Sequence, residues 1–113
     1  MKFVSIFKYD PSHATEPDAA QYAEMGRLIG EMRSAGVLVD TGGVNPTGVS
    51  MRVRRTAGRF TTTDGPFAES KEVVGGFAVL EVASKEEAVA WTRRFLDSCG
   101  DGQCELIEVS PTP

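Results

Sequence analysis

The stretch GGFAVLEVASKEEAVAWTRRFL, residues 75–96, decides the fold class because two kinds of secondary structure follow each other within it. Its apolar part, residues 77–82, predicts a buried strand. Ser84 with Glu87 three residues later predicts a capping box, and the apolar spacing beyond it predicts an amphipathic helix ending near residue 100. A strand that leads directly into a helix is the repeating unit of mixed α and β folds.

The N-terminal third repeats this order. Residues 2–9 are apolar on both alternating faces, which predicts a central strand. A helix is predicted to start near residues 15–18, with Pro17 in its first turn, and to end at Gly36. Its apolar stripe recurs at three- and four-residue spacing and contains Tyr22, Met25, Leu28, Ile29 and Met32.

The middle of the chain predicts a hairpin, with strands over residues 49–54 and 59–63 and a turn at Ala57-Gly58. A short strand at 37–39 precedes it, and residues 104–109 form the last strand. The order β-α-β, hairpin, β-α-β predicts an α+β fold of ferredoxin-like type, with two helices on one face of an antiparallel sheet. The chain is one domain, residues 1–113, with residues 110–113 expected to be frayed.

The other face of such a sheet needs a cover. Phe3, Phe7, Phe77 and Val79 are the residues expected on it. A small chain can bury that face against a second copy, so a homodimer is expected.

Composition narrows the function classes. The chain has 113 residues, 41% of them hydrophobic, and a formal net charge of −4, which argues against a nucleic-acid binder. No apolar stretch is long enough for a membrane span, and Lys8 and Asp10 interrupt the N-terminal apolar run too early for a signal peptide, so a cytoplasmic location is expected. Cys99 and Cys104 are interpreted as small core residues beside a loop, in preference to a disulfide or a zinc site. No cofactor is predicted.

The segment DGPFAESKE, residues 64–72, followed by Gly75-Gly76-Phe77, closely resembles the signature of the DGPF branch of the YCII-related family. Ser70 stands where Thr is common in that signature. The resemblance implies a dimeric α+β barrel of ferredoxin-like subunits, with no general activity for the branch. Some members are encoded beside extracytoplasmic-function sigma factors, so the resemblance also suggests a sigma factor as a partner. For YCII-related relatives, the resemblance implies that a His–Asp pair is used in a cleft. Met25 occupies the position of that histidine here, so the pair is not carried over.

Asp64 has two interpretations on its own chemistry. Asp-Gly-Pro favours a tight turn in which the Asp64 carboxylate accepts backbone hydrogen bonds, and this structural interpretation is the preferred one. A carboxylate on a rigid corner is also a candidate general acid or base. The candidate pocket residues are Met25, Asp64, Phe67, Gly75, Gly76 and Phe77, and of these Gly75 and Gly76 would let a ligand or another backbone approach closely. His13 is interpreted as a solvated loop residue.

Three function hypotheses follow. The first is a small-molecule-binding barrel with a pocket near Asp64, for a carboxylate or aromatic metabolite. The second is a cofactor-free enzyme, isomerase- or lyase-like, with Asp64 as the acid or base. The third is an interaction module for a sigma factor, using the arginine-rich hairpin or the acidic second helix as its surface. The hairpin arginines also suit a charged strand face that discourages edge pairing.

Overall fold

The computed structural model describes residues 1–13, 16–45, 47–67 and 71–111. Part of the DGPF segment, residues 68–70, and the predicted frayed positions 112 and 113 lie outside these ranges. The secondary structure follows the predicted order. The elements are β1 Lys2–Tyr9, α1 Ala19–Ser34, β2 Leu38–Gly43, β3 Met51–Thr56, β4 Arg59–Asp64, β5 Val73–Glu81, α2 Lys85–Cys99 and β6 Gln103–Glu108.

Four of the strands form an antiparallel sheet in the order β2-β5-β1-β6. β1 lies between β5 and β6, as its two apolar faces predict, and Phe3 sits opposite both Leu80 and Glu108. β2 pairs with the outer side of β5. The predicted α+β class is therefore confirmed, and the arrangement is consistent with a ferredoxin-like fold.

The core lies between this sheet and the two helices. Its fully buried hydrophobic residues are Phe3, Leu28, Met32, Val37, Leu80, Val82 and Ala88. Leu106 of β6 and Phe95 of α2 pack against this cluster from the sheet and helix sides. Leu80, with only 2% of its surface exposed, lies at the centre of the described part of the core.

The prediction for the open face, meaning the sheet face away from the helices, is wrong for two of its four residues. Phe3 belongs to the core, and the Phe7 ring meets Phe95 of α2, so both point to the helices. The error has a physical reason: both faces of β1 are apolar, so alternation alone does not say which one the helices cover. The register puts Val4, Ile6, Phe77, Val79 and Ile107 on the open face.

Both helices begin at side-chain caps. Asp18 caps α1 by accepting from the Gln21 amide at 2.8 Å, and the Gln21 side chain accepts from the Asp18 amide. Pro17, predicted inside the first turn, precedes this cap. At α2, Ser84 accepts from the Glu87 amide at 3.1 Å, as predicted, but the Glu87 carboxylate accepts from Ala83 instead of from the cap residue.

The two helices are joined by a bidentate ion pair. Arg94 of α2 donates to both carboxylate oxygens of Glu31 on α1, at 2.9 and 2.6 Å. The hydrogen bonds from Arg94 lower the pKa of Glu31. This pair lies on the exposed side of the helix layer and ties the helices together away from the sheet.

The predicted hairpin is a separate two-stranded sheet, β3 with β4, called the arm below (residues 51–64). Ala57 and Gly58 both have positive φ, 51° and 79°, as a two-residue type I′ turn requires. The Cα radius of gyration is 16.1 Å, whereas a compact domain of this length has about 13 Å. The chain is therefore extended, and the arm carries its most exposed aromatic residue, Phe60, at 70%.

Replacing Leu80 with Ala should lower the free energy of unfolding by about 3 kcal/mol, because it removes packed methyl groups at the centre of the core. Urea denaturation followed by circular dichroism measures this. Val89→Ala, at an exposed position of α2, is the control and should change stability by less than about 0.5 kcal/mol. Equal effects of the two changes would contradict this account of the core.

Candidate functional site: a cavity between the helices and the sheet

A cavity of about 1000 Å³ lies between the helix layer and the inner face of the sheet. α1 contributes one wall, with Met25, Leu28 and Ile29 among its lining residues. The inner faces of β1, β2 and β5, together with α2 and the loop before β6, line the other sides, and the cavity stays open to solvent. Its volume is at the upper end of the range for small-molecule sites.

Aromatic rings form a large part of the wall. Phe7 stacks on Tyr9, with ring centroids 5.8 Å apart and planes 17° from parallel. Phe7 also meets Phe95 edge to face, with centroids 5.5 Å apart and an 85° interplanar angle. Trp91 of α2 borders the same space. These geometries are favourable for aromatic pairs, so the rings hold one another in place and present a fixed apolar surface.

Glycines make room for these rings. A Cβ atom on Gly75 would lie 2.8 Å from Cε1 of Tyr9 and 2.9 Å from Cδ2 of Phe7. A Cβ on Gly102 would lie 2.6 Å from Cε1 of Phe7. Gly76 is crowded by backbone instead, since its Cβ would lie 2.8 Å from the carbonyl oxygen of Gly42. The close approach expected at Gly75 and Gly76 is therefore made by the protein's own rings and backbone.

Polar residues border the cavity where β1 ends. Asp10 accepts hydrogen bonds from the Ser12 hydroxyl at 2.7 Å and the Ser12 amide at 2.9 Å, and these lower the pKa of Asp10. His13 Nε2 lies 3.7 Å from Asp10 Oδ2. The Gln103 side chain donates to Glu72 at 2.9 Å. Glu16 and Asp101 also border the cavity. This end combines carboxylates with a histidine, whereas the interior is largely apolar.

The structure brings only some of the predicted site residues together. Met25, Gly75, Gly76 and Phe77 all border the cavity, the last from a strand position whose side chain points to the open face. Asp64 is exposed at the end of β4, away from the residues that border the cavity. No side-chain hydrogen bond joins Asp64 to another residue in the part of the chain described.

Phe67 also lies apart from the cavity. Its ring packs under the Arg52 guanidinium, 4.2 Å from the ring centroid, at the base of the arm. The turn there is closed by the Gly65 amide, which donates to the Ser50 carbonyl at 2.9 Å, and the Gly65-Pro66 peptide bond is cis. These contacts make the described part of the DGPF segment the corner at which the arm leaves the sheet.

Sequence reasoning missed several residues of the cavity. The sequence predicts strands or helices, but no pocket, for the aromatic residues Phe7, Tyr9, Trp91 and Phe95. It predicts only that Asp10 interrupts the apolar run of β1. His13 was interpreted as solvated; it is exposed, yet it borders the polar end. The available signal was the common parity of Phe3, Ser5, Phe7 and Tyr9, which puts all four on one face of β1.

The two cysteines are free thiols beside this site. Cys99 borders the cavity at the end of α2, and Cys104 is on the inner face of β6, opposite Phe7. Burial and the neighbouring Cys104 raise the pKa of Cys99 to about 11, and burial raises the pKa of Cys104. Within the described residues, no group of three or more His, Cys, Asp and Glu side chains is arranged to hold a metal ion.

The fold and the cavity define a class of small α+β protein, in which two helices and one face of an antiparallel sheet border a space with an apolar wall and a charged end. The chain belongs to the YCII-related domain family, whose model matches residues 1–109. It is also 39% identical, over 78 residues, to an uncharacterised protein of Rhizobium meliloti (strain 1021). That match covers 69% of this chain and 63% of the relative. No helix among the described residues is long and apolar enough to cross a membrane.

The thiol environment predicts slow alkylation. Because the thiolate is the reactive form and the Cys99 pKa is about 11, iodoacetamide at pH 8 should modify Cys99 of the folded protein roughly tenfold or more slowly than in urea. Peptide mass spectrometry over time measures both cysteines, and Cys104 should also be slowed. Because folding raises the pKa of Cys99, the folded state favours the protonated thiol. This contribution to the free energy of unfolding is present at neutral pH and is lost as the pH rises through about 11. Equal folded and unfolded rates would contradict the burial.

Proposed function

We propose that this member of the YCII-related family is a small-molecule-binding protein of the DGPF branch, and that its ligand occupies the cavity between the helices and the sheet. The observation that carries the proposal is the cavity itself, about 1000 Å³ in volume and lined by aromatic and aliphatic side chains. Apolar walls with a few polar groups at one end are typical of ligand sites.

The position of the ligand differs from the one expected beside Asp64. The DGPF corner offers an exposed carboxylate and a Phe67 ring already covered by Arg52, which leaves little concave surface for a ligand. The Phe7, Tyr9 and Phe95 rings instead line the cavity. We therefore assign ligand binding to the cavity and a structural role to the corner.

Met25→Trp should weaken ligand binding, because Met25 lines the cavity from α1 and an indole there occupies part of its volume. Metabolite libraries are screened by thermal shift and native mass spectrometry, first with the original protein and then with the variant. Val89→Trp is the matched control, since Val89 is exposed on α2 and does not border the cavity. The control should bind hits as the original protein does. Equal binding by Met25→Trp, or no hit for the original protein, would contradict the proposal.

We also propose that two copies pair through the open face, which completes the dimeric barrel that the family resemblance implies. This face carries Val4, Ile6, Phe77, Val79 and Ile107. The side chains of Phe77 and Ile107 are exposed, with 38% and 53% of their surfaces accessible to solvent. A contiguous apolar surface of this kind favours association. A two-fold axis uses the same patch on both copies, so a single apolar face is sufficient.

The arm supports the same assembly. Met51, Val53 and Phe60 lie on one of its faces, together with Arg55, and the three apolar residues are all exposed, while Arg52 and Arg54 lie on the other face. An isolated two-stranded hairpin is marginally stable in water, so a second copy that covers the apolar face of the arm would stabilise it.

Ile107→Asp should convert the dimer into a monomer, because it buries two uncompensated carboxylates at the two-fold interface. Sedimentation velocity on the 12.1 kDa chain distinguishes the two masses. Val89→Asp, which adds the same charge on the exposed side of α2, is the control and should remain dimeric. A monomeric original protein, or a dimeric Ile107→Asp variant, would contradict pairing through this face.

A further inference from the structure

We infer that the cavity binds an apolar compound that carries a protonated amine. This inference rests on the proposed small-molecule function and adds the charge and chemical class of the ligand. It departs from the carboxylate ligand considered from the sequence alone. Two observations support it: the distribution of charged residues around the cavity, and the kind of apolar surface that lines it.

The charged residues around the cavity are strongly biased in sign. Among the described residues four carboxylates border it, those of Asp10, Glu16, Glu72 and Asp101. The chain has 12 Lys and Arg residues, all of them described, and none borders the cavity. An anionic ligand would therefore meet carboxylates and no Lys or Arg within the lining itself, whereas an ammonium group would meet opposite charge. The pKa of Asp10 is lowered mainly by the hydrogen bonds from Ser12 and in part by the charge of Lys71, which lies nearby but outside the lining. The preference for a cation is therefore set by the lining carboxylates against this neighbouring ammonium group.

The basic residues are placed elsewhere by contacts of their own. Arg94 is paired with Glu31 on the outside of the helix layer, and Lys8 with Glu105 on the open side of the sheet. Four arginines lie on the arm, at positions 52, 54, 55 and 59. Strand parity and helix facing therefore keep these six residues out of the cavity lining.

The Asp10 carboxylate retains capacity for a ligand. Asp10 receives two hydrogen bonds from Ser12, which lower its pKa and keep it ionised. An ionised carboxylate has about four acceptor positions, so the Ser12 bonds leave Asp10 able to accept from an ammonium group. The hydrogen bond from Gln103 orients Glu72 in the same region.

The apolar surface also suits a cation. Phe7, Tyr9, Trp91 and Phe95 supply four aromatic rings to the wall, and aromatic faces attract ammonium groups, most strongly where water is displaced. The Trp91 ring already has a cation partner, because the Arg94 guanidinium lies over it, 5.1 Å from its centroid. Phe7, Tyr9 and Phe95 are therefore the rings assigned to the ligand. The apolar part of the ligand would contact the aliphatic side chains of α1, and its amine would reach the aromatic rings and carboxylates near the end of β1. The two features therefore select the same chemistry.

The test compares three compounds with one apolar body: 4-phenylbutylamine, 4-phenylbutanol and 4-phenylbutanoate. Trp91 is the only tryptophan of the chain and borders the cavity, so its fluorescence reports occupancy directly. Titrations at pH 7 and low ionic strength should show the amine binding roughly tenfold more tightly than the alcohol, and the carboxylate most weakly. Raising the salt concentration should reduce the preference for the amine.

A pair of charge variants locates the effect. Glu72→Gln combined with Asp101→Asn should remove most of the preference for the amine while leaving the affinity for the alcohol nearly unchanged. Glu86→Gln combined with Asp97→Asn makes the same charge change on α2, away from the cavity lining, and should keep the preference. Circular dichroism confirms that both variants are folded.

The outcomes separate this inference from the proposed function. If the amine and the alcohol bind equally, or the carboxylate binds most tightly, the charge inference is overturned while ligand binding in the cavity stands. Equal loss of preference in both double variants would also overturn it, because the effect would then come from net charge alone. If none of the three compounds changes the Trp91 fluorescence or the melting temperature, both the inference and the proposed function fail.

Discussion

The pairing of β1 with β5 determines which side chains meet the helices and which do not. Its register puts Phe3 opposite Leu80 and Phe7 opposite Gly76, so one end of the pair is filled by large side chains and the other is not. The filled end forms the core with α1 and α2. At the other end Gly75 and Gly76 leave room for the Phe7 and Tyr9 rings and for the backbone of Gly42, and the cavity lies between these rings and the helix layer. One register thus produces both a stabilising core and a candidate site.

The same pairing explains why charge and apolar surface are separated. Lys8 has the opposite parity from Phe7 and Tyr9, so its ammonium group points to the open side and pairs with Glu105. Asp10 follows directly after the strand, where the chain turns at the end of the cavity. A carboxylate at that turn and aromatic rings inside it are consequences of a two-residue period followed by a bend.

Much of the fold could be predicted from the sequence, because each element has strong local signals. Three of these predictions are found in the structure. Ser84 caps α2, Leu28 and Met32 of the apolar stripe of α1 are buried, and Ala57-Gly58 forms the hairpin turn. The candidate site was less predictable. The unusual DGPF motif made Asp64 a candidate site residue, yet the described part of the motif forms the corner at which the arm leaves the sheet. The cavity is instead made by residues far apart in the chain, such as Tyr9 and Trp91, which only tertiary packing brings together.

The two sides of the cavity differ in how freely their residues can be substituted. The glycines under the aromatic rings restrict the sheet side, whereas the α1 side has no such restriction. Any side chain at Gly75 or Gly102 would collide with the rings, so the sheet side of the cavity tolerates almost no change in shape. Met25 and Ile29 border that space from the helix side. Under the proposed function, substitutions on this one helix would therefore change which ligand fits while the sheet stays the same. A new specificity would not require a new fold.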